Sequence, residues 1–92
     1  MIKMLFMDYW AYILKSLRIT AKKNYYIGHT NNLKRRLVDH NRGKDHSSKC
    51  GRPWKIVYKK TFNNRCDAIK HEIYLKKLKN KKYLEKIINI AG

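Results

Sequence analysis

Between Tyr9 and Ser16 the chain reads YWAYILKS, an aromatic, β-rich run that is short and predicts a first strand. Tyr25 to His29, YYIGH, predicts a second strand, and the polar connection carrying Lys22, Lys23 and Asn24 makes the pair a hairpin with a long loop. Gly28 falls inside this second strand, where a glycine marks a bulge or a close backbone approach. The period then changes. In NNLKRRLVDHNR, Leu33, Leu37 and His40 recur along one helical face, Thr30 or Asn31 can cap the start, and Gly43 stands at the C′ position. Residues 44–53, rich in Ser, Gly and Lys, read as a loop. Trp54, Ile56, Tyr58 and Phe62 fall on alternate positions of a third strand, with lysines interleaved. Asn64 caps a second helix running to about Lys79. Asn80 breaks that pattern, and Tyr83, Leu84, Ile87 and Ile88 give a final short amphipathic helix. The order β-β-α-β-α-α predicts an α+β fold, a small three-stranded, largely antiparallel sheet flanked by helices. A length of 92 residues sets the expectation of one domain, residues 1–92, with its core at about 9–90.

Composition changes this picture through charge. Hydrophobic residues at 43% and aromatics at 12% are enough to build a core and argue against disorder. Against that, 23 Lys and Arg face only 6 Asp and Glu, leaving a net charge of +17. Self-repulsion on this scale weakens a small fold, so a polyanionic partner is its natural explanation. Nucleic acid, DNA first, is the expected partner. A membrane surface is not, because the apolar helix faces are already needed for the core. The N-terminal stretch from Met1 to Trp10 is interrupted by Asp8 and followed by no small-residue cleavage site, and no run approaches the ~20 apolar residues of a membrane span. The expectation is a soluble, cytoplasmic monomer. Cys50 and Cys66 are too few for a secreted disulfide framework. With His46 or His71 they could make half a zinc site, but no C-x-x-C pair anchors one, and two reduced thiols are the simpler reading.

Three polar features stand where apolar residues belong. Ala68, Ile69, Ile73 and Leu75 outline the apolar arc of the second helix, and Glu72 projects from the middle of it. An unpaired buried carboxylate costs several kcal/mol, so a cation must compensate, an Arg or a bound metal, the plainer reading being a snorkelling Glu or a structural ion pair. On the first helix Arg36 lies one turn from Leu33 and beside Leu37, sharing the inward side with His40. Lys34 and Arg35 instead belong to a solvated basic face. Tyr12 and Tyr26 lie on adjacent strands, and Tyr25 has the opposite parity. Strand tyrosines usually serve packing. A phenol pair, an Arg, a His and an inward Glu around one cleft of a very basic protein nonetheless suit chemistry on a phosphodiester.

In the order of these residues the chain resembles the GIY-YIG endonucleases. Tyr26-Ile27-Gly28 is an intact YIG element, and the run T-x-x-L-x-x-R-x-x-x-H is matched by Thr30, Leu33, Arg36 and His40. The GIY element is degenerate, Trp10-Ala11-Tyr12 keeping only the tyrosine. RPWKIVY followed by AIKHEIYLKKLK looks like the third strand and the Glu-bearing helix of the small single-domain bacterial members. The resemblance implies hydrolysis of nucleic-acid phosphodiester bonds with one divalent metal, Mg²⁺ or Mn²⁺, in DNA repair or recombination. It implies Glu72 as the metal ligand, and Arg36 as the residue holding the scissile phosphate and its transition-state charge. Tyr26 would be the general base for the attacking water or would orient it. Tyr12 would hydrogen-bond near the nucleophile, and His40 would assist proton transfer or contact the phosphate. A phenol is only about 0.1% ionised at neutral pH, so Arg36 and a metal would have to lower the value for Tyr26. Two positions depart from the pattern: His29 stands where some members carry a lysine, and Asn89 is the only candidate for a late asparagine that completes the site in several members. The reading from a different class is a non-catalytic nucleic-acid-binding module built on Lys76, Lys77, Lys79, Lys81 and Lys82. It leaves Glu72 unexplained.

Overall fold

Ala11, Tyr12, Ile13 and Leu14 are each at most 1% exposed in the computed structural model of the chain. It describes residues 8–18, 25–44, 51–78 and 81–91. Four successive buried residues require neighbours on both edges of the strand and a layer on each face. Both are present. Strand β1 (Tyr9–Ser16) lies between β2 (Tyr25–Thr30) and β3 (Trp54–Phe62), antiparallel to each, in the order β2-β1-β3. Helix α1 (Leu33–Arg42) covers one face, packing Leu33 and Leu37 against Tyr12, Leu14 and Trp54. Helices α2 (Arg65–Lys77) and α3 (Lys81–Ala91) cover the other, where Leu75 and Leu84 meet Ile13. The order and the antiparallel three-stranded sheet are those the pattern predicts.

Local signals account for most boundaries, with one shift. Thr30 closes β2 rather than capping α1, and Asn32 is the cap, its side chain accepting from the Arg35 N–H at 3.0 Å. Thr30 serves the turn, its hydroxyl oxygen accepting from the Asn32 N–H at 3.1 Å. Gly43 ends α1 at φ 79°, the left-handed region that favours glycine. Asn64 caps α2 by accepting from the Asp67 N–H at 2.8 Å.

Two expectations fail on packing. Trp54, Ile56, Tyr58 and Phe62 do not share one face of β3. The register shifts between Ile13 and Leu14, which pair with Tyr58 and Ile56, and Val57 is the extra residue. One inserted residue reverses the parity of everything beyond it. Trp54 and Ile56 therefore join the cluster under α1, whereas Tyr58 joins the one under α2 and α3. On α2, Ile73 is 48% exposed and lies outside the buried arc, which holds Ala68 and Leu75. Five residues on from Ala68, Ile73 is turned about 140° away from it.

One clasp fixes α1 against the sheet. The Asn41 side chain donates to the Trp54 carbonyl at 3.1 Å and accepts from the Trp54 N–H at 2.6 Å. Residues 1–7, Lys22–Asn24, His46, Cys50, Lys79 and Asn80 lie outside the described residues. Among those described, no helix is long and apolar enough to cross a membrane.

Candidate active site

The period of two on β1 and β2 places Tyr12 and Tyr26 on the α1 face, and Tyr25 on the opposite face with Ile27. Tyr12 pairs with Gly28 across the ladder, and its ring leans over that glycine. A Cβ at Gly28 would stand 2.6 Å from the Tyr12 Oη, so the missing side chain is what admits the phenol. From above, α1 presents Arg36 and His40, one turn apart on one helical face. His40 is wholly buried, its Nε2 3.0 Å from the Tyr12 Oη. The Tyr26 ring packs 4.5 Å from the His40 ring and 6.5 Å from the Tyr12 ring, centroid to centroid.

Arg36 joins the group from the half-exposed side, its guanidinium hydrogen-bonded to both phenols. A guanidinium can only donate. The phenol oxygens therefore accept from Arg36, which leaves the Tyr12 hydroxyl hydrogen to be donated to His40 Nε2. Burial pushes the Tyr12 phenol up to about 12, and the neighbouring Arg36 offsets only part of that rise. Burial alone would lower Arg36, but its bonds to Tyr12 and Tyr26 outweigh that effect and hold its charge more firmly than usual.

Glu72 reaches this neighbourhood from the other side of the sheet. It is held by His29 at one carboxylate oxygen and by Lys76 at the other, the latter at 2.5 Å. Its side chain is 14% exposed. Burial works to raise this carboxyl, yet the bonds from Lys76 and His29 and their charges outweigh it, so Glu72 titrates below the ordinary range. Strand parity points His29 toward α2 while Tyr12 lies across its neighbour Gly28, so the two halves meet on one short stretch of β2.

The structure thus gathers Tyr12, Tyr26, Arg36 and His40 on one face, with Glu72 approaching from the other rather than from within one cleft. The compensating partner of Glu72 is not the expected Arg but a pair, Lys76 and His29. Lys76 was legible as the i,i+4 neighbour, and His29 needed the strand and the helix brought together. Asn89 does not join the group: with Lys15, Tyr25, Lys55 and Glu85 it lines a cavity of about 290 Å³ between α3 and the sheet. Cys66 is free and exposed. Among the described residues no three His, Cys, Asp or Glu side chains are grouped as a metal cage would need.

Comparison with known proteins gives a consistent result. The sequence model of the GIY-YIG catalytic domain matches residues 8–85. The UPF0213 protein CPE1444 of Clostridium perfringens is 38% identical over 79 residues, covering 85% of this chain and 81% of that protein. The UPF0213 protein YazA of Bacillus subtilis is 36% identical over 76 residues, covering 82% and 73%. The solution NMR structure of the UPF0213 protein BH0048 from Bacillus halodurans superposes with a TM-score of 0.57 at 26% identity, covering 94% of this chain and 87% of that one. The chain belongs to the GIY-YIG family, with the small UPF0213 proteins as its relatives and a catalytic domain of the kind that cleaves nucleic acids.

Proposed function

We propose that the protein is a metal-dependent endonuclease that hydrolyses DNA phosphodiester bonds, with Tyr12, Tyr26, Arg36, His40 and Glu72 as its machinery. The observation that carries this reading is the convergence of one guanidinium on two phenols beside a buried histidine, with the Glu72 carboxylate held by His29 of the same strand as Tyr26. Packing alone would fill such a place with apolar side chains.

The fixed fork of Arg36 can hold two phosphate oxygens and meet the charge that develops on them. It lies half-exposed, where a phosphate can reach it, and its hydrogen bonds to the phenols orient it beforehand. Tyr26 stands next to it as the residue that orients the attacking water and, in its phenolate form, takes up its proton to become the neutral phenol. Tyr12, protonated up to about pH 12 with its one hydroxyl hydrogen on His40, hydrogen-bonds near the nucleophile through its oxygen, which holds Arg36 in place. His40, hydrogen-bonded to Tyr12, holds that phenol in place and can pass a proton through it.

Glu72 would serve a divalent cation as a single hard ligand because it is ionised, and an incoming ion would have to displace Lys76 and His29 from its two oxygens. Mg²⁺ is often held by one or two carboxylates, with water and phosphate oxygens filling its other positions. When bound, the ion supplies Lewis-acid stabilisation of the phosphoryl oxygens. Lys76 is 56% exposed and free to swing aside from Glu72. The cellular setting proposed for this activity is DNA repair or recombination.

The test is cleavage of a DNA panel (duplex, single strand, flap and branch) with Mg²⁺ and with chelator, by the native protein and by Glu72→Gln. Cleavage should vanish in chelator and in the variant, while DNA affinity in an anisotropy titration stays within about twofold. Full cleavage by Glu72→Gln would overturn the assignment of Glu72.

A further inference from the structure

On the side of α2 away from Glu72, three rings form a stack. Tyr58 and His71 lie 5.9 Å apart with their planes 24° from parallel, and His71 and Tyr74 lie 5.7 Å apart at 29°. Tyr58 Oη and His71 Nε2 are 2.8 Å apart, which ties the inner pair together across β3 and α2. Phe62 supports His71 from the strand side at 5.3 Å. Tyr74 ends the stack and is 52% exposed. The nuclease machinery uses none of these residues.

The stack is bordered by cations. Lys70 and Lys77 stand four residues before and three after Tyr74, on the same outer face of α2, and both are exposed. Lys60 lies over the Phe62 ring at 5.6 Å, and Arg65 lies over the Tyr9 ring at 5.5 Å. Of the acids near the stack, Asp67 is engaged in the α2 cap with Asn64, and Glu72 is held by His29 and Lys76. A planar stack with an open end and positive charge on either side matches one chemical object: an unpaired base flanked by its phosphates.

We infer that the Tyr58–His71–Tyr74 stack is a landing site for an unpaired nucleotide, whose base continues the stack on Tyr74 while Lys70 and Lys77 meet the adjoining phosphates. The inference takes its nucleic-acid partner from the proposed function but does not depend on cleavage. His71 leans to β3 and Glu72 to β2, so stack and carboxylate stand about two strand spacings, or about 10 Å, apart. A paired base cannot use Tyr74, because its faces are already covered in the duplex.

The experiment measures binding in chelator, where no cleavage occurs. The probes are a twelve-residue oligothymidylate carrying one 2-aminopurine, its oligouridylate counterpart and a blunt duplex of equal length. Tyr74→Ala should weaken single-strand affinity by about 5- to 150-fold, the range that loss of one stacked base gives. It should abolish the quenching of 2-aminopurine fluorescence and leave duplex affinity within about twofold. Tyr74→Trp should restore both affinity and quenching. The two oligomers report whether DNA or RNA is the better occupant. Equal weakening toward single strand and duplex, quenching that survives Tyr74→Ala, or a Tyr74→Trp variant no better than Ala would overturn the inference. So would loss of self-association by Tyr74→Ala in sedimentation with single-strand binding unchanged, which would give this surface to a second copy of the chain. A protein that binds in this way and yet cleaves nothing would refute the nuclease reading alone.

Discussion

A methyl group added at Gly28 has nowhere to go. Its carbon would lie 2.6 Å from the Tyr12 Oη and 2.9 Å from Cζ, against ring atoms that cannot withdraw. Tyr12 is 1% exposed, and its oxygen is tied to His40 Nε2 at 3.0 Å and to Arg36. Gly28→Ala must therefore displace the phenol. Overpacking of this kind costs about 1–3 kcal/mol, and loss of the buried hydrogen bond adds about 0.5–1.5 kcal/mol. The entropy regained by removing a strand glycine offsets about 0.5–1 kcal/mol. A net loss of about 1–3 kcal/mol is expected, or a fall in Tm of about 5–20 °C for a domain of this size. Thermal unfolding followed by circular dichroism reads it directly. A double-mutant cycle with Tyr12→Phe supplies the mechanism. Removing the hydroxyl abolishes the closest contact and leaves only the ring carbons, so Gly28→Ala should cost at least about 0.5 kcal/mol less in the Phe background. Cleavage by Gly28→Ala should also fall by about 10- to 100-fold at temperatures where the variant is folded, because the phenol is misplaced. An unchanged Tm, or the same cost in both backgrounds, would refute the reasoning.

Arg36→Lys should lose about 10²–10³ in single-turnover cleavage although it keeps the charge, because a lysine lacks the fork that spans two phenols and a phosphate. Exposed Arg35 is the control: Arg35→Lys should be nearly silent, and equal losses would reduce Arg36 to part of a basic run. Folding raises the Tyr12 phenol from about 10 to about 12, so its contribution to stability is complete below pH 10 and is lost as the pH rises from 10 to 12. The contribution is up to about 3 kcal/mol, and a urea-midpoint series should show a flatter alkaline decline for Tyr12→Phe. DNA affinity should fall with salt at a log–log slope of roughly −5 to −7, as six to eight phosphate contacts require. A slope near −1 in an anisotropy titration would show that the basic surface is not the footprint.

Much of the architecture was legible because it is encoded over a few residues. The caps at Asn64 and Gly43, the one-turn spacing of Arg36 and His40, and the opposite parity of Tyr25 and Tyr26 are properties of segments shorter than about ten residues. Each holds in the fold because helix and strand periods are set by the backbone itself. The YIG glycine also reads correctly as a place of close approach, although only the packed sheet identifies the Tyr12 ring as what approaches. The third strand shows where such reasoning ends. Nothing in WKIVYKKTF says that Val57 is inserted, because a bulge is a property of two strands paired, and here it is what turns Tyr58 away from Trp54 toward α2. Glu72 is similar. Its misplacement in an apolar arc was evident, but its partners came from one turn along α2 and from a strand 43 residues earlier in the chain. Charges far apart in sequence meet only when helix and sheet pack. The sequence by itself therefore determined the elements, their order and the residues out of keeping with a core. The tertiary structure alone decided which face each β3 side chain joined, and that Glu72 is held by His29 of β2, because register and helix-on-sheet docking depend on contacts that no local window contains.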